Sequence, residues 1–227
     1  DHRDLHSFPT RRSSDLVCSP FLFMERLNQV KAKAIMNNVP IMQDVGILFC
    51  QDFIQAHDVK HILEIGTAVG FWSIAMALLD PQIRITTVEF NHSRHLEAKE
   101  NVHKLGLDLQ IECIWMDAKD YRTDKQFDLI FLDGPKAQQL SYFNTFINNL
   151  KPKGTVLVDN INFHGHVANR KKLVFRKNLR HMVDKIAHFT EVLERNPDYI
   201  THKYDVGDGI LLIWRKYPES IDCDMIT

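Results

Sequence analysis

Three oxygen-bearing side chains follow two neighbouring predicted strands of this chain. Asp133 comes after the apolar run from Phe127 to Leu132, and Asp159 and Asn160 come after the run from Gly154 to Val158. Parallel strands place their carboxyl ends on one rim of a sheet, so we expect these side chains to meet there. Carboxylate and amide oxygens suit Mg²⁺, Mn²⁺ or Ca²⁺ better than Zn²⁺. Each residue alone could instead cap a helix, but the three together predict a metal site.

A ligand-binding loop is predicted upstream of these residues. Glu64 is followed by two glycines four residues apart, Gly66 and Gly70, between an apolar run and a helical pattern. Glycine adopts backbone angles that side chains disfavour, and it lets a ligand approach the main chain. Glu89 ends the next apolar run, about twenty residues downstream, where nucleotide-binding α/β folds place the carboxylate that binds a ribose.

The spacing of this motif disfavours a dinucleotide site. A nicotinamide-dependent oxidoreductase of this architecture uses G-x-G-x-x-G to bring a pyrophosphate onto a helix N-terminus. Here the pattern is Glu64-x-Gly66-x-x-x-Gly70, which leaves a more open turn without a tight phosphate cradle. The alternative to a cofactor loop is an ordinary strand-turn-helix that needs two glycines.

Alternating strand and helix patterns must position these residues. Helices are predicted at 21–37, 44–56, 72–79, 93–105, 140–150 and 169–195. The first strand and the motif loop are predicted at 61–70, and further strands at 84–89, 109–115, 127–132, 154–158, 201–206 and 209–214. The alternation indicates a parallel sheet with right-handed crossovers. Gly207-Asp208-Gly209 is a hairpin signal that adds an antiparallel edge. We therefore expect a Rossmann-like α/β fold with seven mostly parallel strands, a C-terminal antiparallel hairpin and helices on both faces.

Composition is that of an ordinary globular protein. The 227 residues are 44% hydrophobic and 25% charged, with a net charge of −1, so bulk charge predicts no polyanionic partner. Four widely separated cysteines without a C-x-x-C pair fit a reducing cytoplasm. With no signal-peptide pattern and no run of roughly 18 to 20 apolar residues, we expect a cytoplasmic protein without a membrane partner.

The first 16 residues differ from the rest of the chain. They are charged and Ser-rich, lack apolar periodicity and match a translated sequencing adapter. We therefore predict a non-native leader at 1–16, one domain at 17–216 and a tail at 217–227. The alternative for the leader is a natural disordered tail.

The motifs resemble those of a known enzyme family. Glu64-x-Gly66-x-x-x-Gly70, Asp133-x-x-Lys136 and Asp159-Asn160 are similar to cation-dependent O-methyltransferases, class I S-adenosylmethionine-dependent enzymes that include catechol and caffeoyl-coenzyme A O-methyltransferases. The resemblance covers roughly residues 24 to 216. Within the family, the segment 159–167 is most similar to a bacterial branch that methylates 5-hydroxyuridine at the tRNA wobble position, giving 5-methoxyuridine. Members are often dimers through their N-terminal helices, so the resemblance implies a homodimer.

The resemblance implies a role for each motif. S-adenosylmethionine would be the methyl donor, Asp133, Asp159 and Asn160 would bind Mg²⁺ or Mn²⁺, and Lys136 would take the proton of the substrate hydroxyl. Lys136 could alternatively be a solvated loop lysine. The implied cofactor contacts are Met42, Glu64, Gly66, Thr67, Gly70, Phe71, Trp72, Glu89, Asp117, Ala118 and Asp133. Among them Glu89 would bind the ribose, and Asp117 and Ala118 would meet the adenine. Trp72 could line the cofactor site, but a core position is the favoured interpretation.

A basic run follows the predicted metal loop. Its members are Arg170, Lys171, Lys172, Arg176, Lys177 and Arg180. Lys172, Arg176 and Arg180 repeat every four residues, which would place them on one helix face. Such a face suggests an anionic substrate, either a phosphate backbone such as a tRNA anticodon loop or a coenzyme A tail, although it could be an ordinary solvated surface. His164 and His166 could contact the same substrate, but solvated loop histidines are the favoured interpretation.

The sequence is compatible with more than one function. The leading hypothesis is metal-dependent O-methylation of a tRNA wobble 5-hydroxyuridine. The second hypothesis is the same chemistry on a small catechol or hydroxycinnamoyl-type substrate. A nicotinamide oxidoreductase is disfavoured by the glycine spacing, and a non-catalytic nucleic-acid-binding protein is disfavoured by the complete set of Asp133, Lys136, Asp159 and Asn160.

Overall fold

The computed structural model describes residues 20–173 and 176–216, so the predicted leader and tail lie outside the described residues. The α-helices in these ranges are α1 (Pro20–Met36), α2 (Asp44–Ala56), α3 (Phe71–Ala77), α4 (His92–Lys104), α5 (Gln139–Phe146) and α6 (Lys177–Arg195). The strands are β1 (His61–Ile65), β2 (Arg84–Glu89), β3 (Ile111–Trp115), β4 (Phe127–Leu132), β5 (Leu150–Asp159), β6 (Tyr199–Tyr204) and β7 (Ile210–Arg215).

The strands form one seven-stranded sheet in the order β3-β2-β1-β4-β5-β7-β6. Strands β1 to β5 pair in parallel, whereas β7 runs antiparallel to both β5 and β6. This confirms the predicted Rossmann-like sheet with a C-terminal antiparallel hairpin. The chain order reverses between β1 and β4, and such sheets bind ligands beyond the carboxyl ends of the strands at this switch point.

Both faces of the central strands are buried, which explains their continuous apolar sequences. Leu129 and Phe131 of β4 belong to a core cluster shared with α1, α2 and α3. Ile130 and Leu132 of the same strand point the other way, into a cluster with Phe143 of α5 and Phe189 of α6. The sheet is therefore held rigidly between two helical layers, and its strand ends can position side chains accurately.

The last long helix is shorter than predicted. We expected it at 169–195, but α6 begins at Lys177, and Arg170–Lys172 form a separate 3₁₀ turn. Leu173 and Arg176 have non-helical backbone angles, so the helical path is broken between the two segments. None of the helices in the described ranges is long and apolar enough to cross a membrane.

Candidate active site

A cavity of about 500 Å³ lies at the carboxyl ends of the strands. Its walls come from the ends of β1, β2, β4 and β5, the connection between α1 and α2, and the turn between β6 and β7. The predicted site residues in this wall are Met42, Gly66, Glu89, Ala118, Asp133, Lys136, Asp159 and Asn160. The sheet therefore brings the candidate ribose carboxylate and the candidate metal ligands into one cavity.

Glu89 is a buried carboxylate held by two backbone amides. The Ala68 amide donates to Oε2 and the Asn91 amide donates to Oε1, both at 2.9 Å. A carboxylate has about four lone-pair sites, so Glu89 can still accept hydrogen bonds from ligand hydroxyls. Its two oxygens are oriented before any ligand binds.

Gly66 is required by the protein backbone itself. Its φ is +100°, and a Cβ atom at this position would lie 2.8 Å from the backbone carbon and oxygen of Asp133. Real Cβ atoms do not approach so closely, so the ends of β1 and β4 can pack together only around a glycine. The sequence assigned Gly66 to ligand approach, whereas the structure shows that contact with Asp133 already demands it.

Glu64 and Thr67 lie beneath the loop and not in the cavity wall. The Glu64 carboxylate accepts hydrogen bonds from the hydroxyls of Ser73 and Thr87, and Thr87 is also paired with Thr67. Glu64 is 1% exposed, and burial raises its pKa to about 8. These two predicted cofactor residues are therefore placed to hold the loop against β2 and α3.

The start of α3 belongs to the core. Gly70 precedes the helix with φ +81°, and Phe71 and Trp72 are both 5% exposed outside the cavity wall. The Trp72 ring stacks on Phe131 with a centroid separation of 4.3 Å. The structure thus places Trp72 in the core, which was one of its two predicted positions.

Two further predicted cofactor residues lie in the loop after β3. Ala118 lines the cavity, whereas Asp117 does not. Asp117 instead accepts a hydrogen bond from the Lys119 amide at 3.0 Å, and this bond lowers the pKa of its carboxyl group. Met116 lines the cavity next to Ala118, so the loop presents two apolar side chains to a ligand.

Met42 has two roles in the packing around the cavity. It lines the cavity and is also 6% exposed, with its sulfur 3.8 Å from the thiol of Cys50. A Cβ atom on Gly46 would lie 2.8 Å from Met42 Cγ, so α2 approaches this side chain closely. Met42 therefore packs against α2 and also forms part of the cavity wall.

The candidate metal ligands form a compact polar group with Lys136. The Lys136 ammonium donates to Asp133 Oδ1 at 2.6 Å and to the backbone oxygen of Asp159 at 3.2 Å. Asp159 accepts bonds from Asn160, at Oδ1 from the backbone amide and at Oδ2 from the side chain. Asn160 has a left-handed φ of +61°, which turns the chain sharply after β5.

Burial and a neighbouring carboxylate disfavour the charged form of Asp159 in this group. Burial raises the pKa of Asp159 to about 7, and the nearby Asp133 carboxylate contributes to the rise, while Lys136 opposes the shift. A divalent cation would offset the repulsion, and the two carboxylates with the Asn160 amide supply the hard oxygen donors that Mg²⁺ and Mn²⁺ prefer. Within the described ranges, no group of three His, Cys, Asp or Glu side chains could hold a metal ion. A metal bound at this site would therefore need the Asn160 side-chain amide as a third ligand.

The candidate substrate residues of the basic run do not share a helix face, and that prediction was wrong. Lys172 ends the 3₁₀ turn, Arg176 precedes α6, and only Arg180 lies within it. All three lie outside the cavity wall. Arg180 is also 3.6 Å from Asp184. The regular spacing of the basic residues in the sequence did not indicate that the predicted helix is interrupted at Leu173.

Asp208 was missed as a site residue. The sequence assigned it only to the turn between β6 and β7, yet it lines the cavity with 8% of its surface exposed. His164, which the sequence favoured as a solvated loop residue, also lines the cavity. A carboxylate within a Gly-Asp-Gly turn gives no sequence signal of this contact, because its partner is 44 residues away.

The architecture and the cavity define a known class of enzyme. A model of the O-methyltransferase family matches residues 13–216, including residues 13–16 of the predicted leader. The chain therefore belongs to the O-methyltransferase family. A curated relative, caffeoyl-CoA O-methyltransferase 2 of Petunia hybrida, is 26% identical over 201 residues, which are 85% of this chain and 83% of the relative.

Solved structures show the same fold. A candidate caffeoyl-CoA O-methyltransferase from Staphylococcus aureus superposes with a TM-score of 0.80 and 32% identity, over 84% of this chain and 92% of that chain. The O-methyltransferase TomG of Streptomyces achromogenes, solved in complex with SAM, gives a TM-score of 0.71 and 22% identity, over 90% and 94% of the two chains. The predicted enzyme class, an S-adenosylmethionine-dependent O-methyltransferase, is confirmed at the level of the family.

Proposed function

We propose that this enzyme transfers a methyl group from S-adenosylmethionine to a hydroxyl of a catechol or hydroxycinnamoyl-type compound, with Mg²⁺ or Mn²⁺ as cofactor. The observation that carries this proposal is one cavity lined by both Glu89 and the group formed by Asp133, Lys136, Asp159 and Asn160. The named caffeoyl-CoA O-methyltransferases favour a small aromatic substrate over tRNA.

The methyl donor fits the end of the cavity near β1 and β2. Glu89 would accept hydrogen bonds from the ribose hydroxyls, since its oxygens are already oriented by the Ala68 and Asn91 amides. Met116 and Ala118 would pack against the adenine. The complex of TomG with SAM supports this choice of cofactor.

The hydroxyl substrate fits the end near β4 and β5. Asp133, Asp159 and Asn160 would hold the cation, which when bound lowers the pKa of a coordinated hydroxyl and orients its oxygen. Lys136 lies between Asp133 and Asp159, with its ammonium nitrogen 2.6 Å from Asp133 Oδ1. Once its ammonium has released a proton to solvent, Nζ would receive the proton of the substrate hydroxyl.

A side-by-side product assay tests the proposed substrate class. The enzyme is incubated with S-adenosylmethionine and Mg²⁺, and with either 3,4-dihydroxycinnamate, its coenzyme A thioester or a bacterial tRNA carrying 5-hydroxyuridine. We expect a singly methylated hydroxycinnamoyl product by mass spectrometry. Methylation of the tRNA alone would contradict the small-substrate proposal, and transfer to none of them would contradict the proposed function.

The tRNA wobble uridine is the second candidate substrate. Six basic residues between Arg170 and Arg180 follow the loop that carries Asn160, and this density of cations supports an anionic substrate. The absence of a shared helix face weakens that argument, because Lys172 lies on a 3₁₀ turn separate from the helix that follows Arg176 and contains Arg180. A coenzyme A tail could use the same charges.

A further inference from the structure

Asp208 has a buried carboxylate oxygen that needs a partner. Its Oδ1 accepts a hydrogen bond from the backbone amide of His164 at 2.6 Å. Its Oδ2 is buried at the cavity and has no hydrogen-bond partner anywhere in ranges 20–173 and 176–216. Burying a polar atom without a hydrogen bond costs free energy, and the cost is larger for a charged group. We therefore expect a hydrogen-bond donor close to Oδ2.

The imidazole of His164 is a donor close to this oxygen. Its Nδ1 lies 3.6 Å from Asp208 Oδ2, slightly beyond hydrogen-bond distance. The ring is 73% exposed and lines the cavity, so a small rotation closes the gap without disturbing the core. A carboxylate that accepts the Nδ1 hydrogen of a histidine fixes its tautomer and leaves Nε2 as a hydrogen-bond acceptor.

The surrounding backbone holds both residues in place. The amides of Ile161 and Asn162 donate to the backbone oxygens of Gly209 and Asp208 at 3.1 and 2.9 Å. His164 has a left-handed φ of +54°, which is strained for a residue with a side chain and persists only when neighbouring contacts impose it. The β6–β7 turn therefore fixes the loop that follows Asn160.

The two residues stand beside the candidate metal site. Asp208 lines the same cavity as Asp159 and lies two residues before Ile210, which pairs with Asp159 across β5 and β7. His164 is four residues from Asn160 on the same loop. A group held by His164 would thus be near the candidate metal ligands.

We propose that Asp208 positions the His164 imidazole so that Nε2 accepts a hydrogen bond from a second donor group on the substrate. In a catechol-type compound this donor is the hydroxyl next to the one that is methylated. The inference rests on the proposed function for the identity of the substrate, whereas the pairing of the two residues is a property of the protein alone. Asp208 is a positioning residue and His164 a specificity-determining residue.

The pairing is tested by the ring tautomer of His164. Nitrogen-15 NMR of the full chain, at a pH where the ring is neutral, should show hydrogen on Nδ1, with the signal assigned by its loss in His164→Gln. Asp208→Asn keeps an oxygen for the His164 amide but turns an NH₂ group toward the ring, so it should shift the hydrogen to Nε2. An Nε2 hydrogen in the parent that is unchanged in Asp208→Asn overturns the pairing, whatever the enzyme methylates.

The substrate contact is tested by binding. Calorimetry with 3,4-dihydroxycinnamate, Mg²⁺ and S-adenosylhomocysteine should show about fivefold to tenfold weaker binding for His164→Ala. Asp208→Asn should give a similar loss, and the double variant should lose little more. His166→Ala is the matched control, since His166 is on the same loop but outside the cavity wall, and should bind as the parent does.

Substrate binding and product formation are measured separately, so failure of this inference can be distinguished from failure of the proposed function. Equal binding by the parent and His164→Ala, including binding by neither, overturns the substrate contact. Failure of the proposed function is instead read from the methylated product by mass spectrometry. A binding loss confined to His164→Ala and Asp208→Asn, with unchanged affinity for S-adenosylhomocysteine, supports the inference even if another hydroxyl compound is the better methyl acceptor.

Discussion

The Lys136 ammonium lies 2.6 Å from the Asp133 carboxylate, three residues earlier in the chain. The same nitrogen is 3.2 Å from the backbone oxygen of Asp159, so one side chain links the ends of β4 and β5. Only 13% of the Lys136 side chain is exposed. This placement makes Lys136 the candidate general base.

Replacing Lys136 should reduce methyl transfer without reducing cofactor binding. Lys136→Arg keeps a positive charge beside Asp133 but cannot release its proton, so it should lose about 10²- to 10⁴-fold in rate. Lys136→Met should lose a similar factor. Initial rates and calorimetry with S-adenosylmethionine measure the two effects. Full activity of Lys136→Arg would show that Lys136 acts only through its charge.

Replacing Glu89 should weaken cofactor binding. Glu89→Gln removes the charge that accepts hydrogen bonds from the Ala68 and Asn91 amides and that would accept them from the ribose hydroxyls. Loss of charge-assisted hydrogen bonds costs about 1.5 to 3 kcal/mol, so the dissociation constant should rise roughly 10- to 100-fold. Glu112→Gln, on the exposed side of β3, is the control. An unchanged affinity in Glu89→Gln would contradict the ribose assignment.

Gly66→Ala should destabilise the fold as well as the site. The alanine Cβ would meet the Asp133 backbone at 2.8 Å in addition to adopting a left-handed φ. Gly165→Ala is the matched control, because Gly165 also has a positive φ but no described atom lies within 4 Å of the position that its Cβ would take. We expect about 1 to 2 kcal/mol of lost stability for Gly165→Ala, and a further 1 to 3 kcal/mol for Gly66→Ala, by chemical denaturation. Equal losses would refute the steric argument.

Stability should fall with rising pH because of Glu64. Burial raises its pKa to about 8 in the folded protein, from 4.5 for the unperturbed group. Between these values the unfolded chain releases the proton while the folded protein retains it, so each pH unit should cost up to about 1.4 kcal/mol. Below 4.5 and above 8 this contribution is flat. Denaturation of the parent and Glu64→Gln from about pH 5 to 8 should give a shallower decline for the variant, and parallel curves would contradict the raised pKa.

Sequence patterns predicted the strands and the polar residues at their ends. The predicted bounds of β2 and β4 matched the observed ones, and the apolar run of β4 fits a strand that is buried on both faces. Asp133, Asp159 and Asn160 meet as expected because parallel strands end on the same rim. Side-chain direction was less predictable: Glu64 lies within the glycine motif, yet its carboxyl group faces the interior.

Long-range contacts account for what the sequence did not reveal. The bond between Asp208 and the His164 amide joins residues 44 positions apart, and no local pattern encodes it. The break before α6 was also hidden, since a run of basic residues has no apolar periodicity to mark where a helix starts.

The basic residues can be tested for a role in tRNA binding. A triple Lys172, Arg176 and Arg180 change to Ala removes three positive charges from this run. If they contact phosphates of a single-stranded loop, the salt dependence of tRNA binding should flatten by about two units in log-log slope, while a small uncharged catechol is unaffected. An unchanged slope would show that these residues form only a solvated surface.

The central claim is metal-dependent methylation of an aromatic hydroxyl, and product formation under metal control tests it most directly. The enzyme is mixed with S-adenosylmethionine and 3,4-dihydroxycinnamate, and the methylated product is quantified by mass spectrometry with Mg²⁺, with excess chelator and after Mg²⁺ is restored. We predict product with Mg²⁺, none with chelator, recovery on restoration, and none with Asp159→Ala in any condition. Equal product formation by the parent in excess chelator would contradict the account.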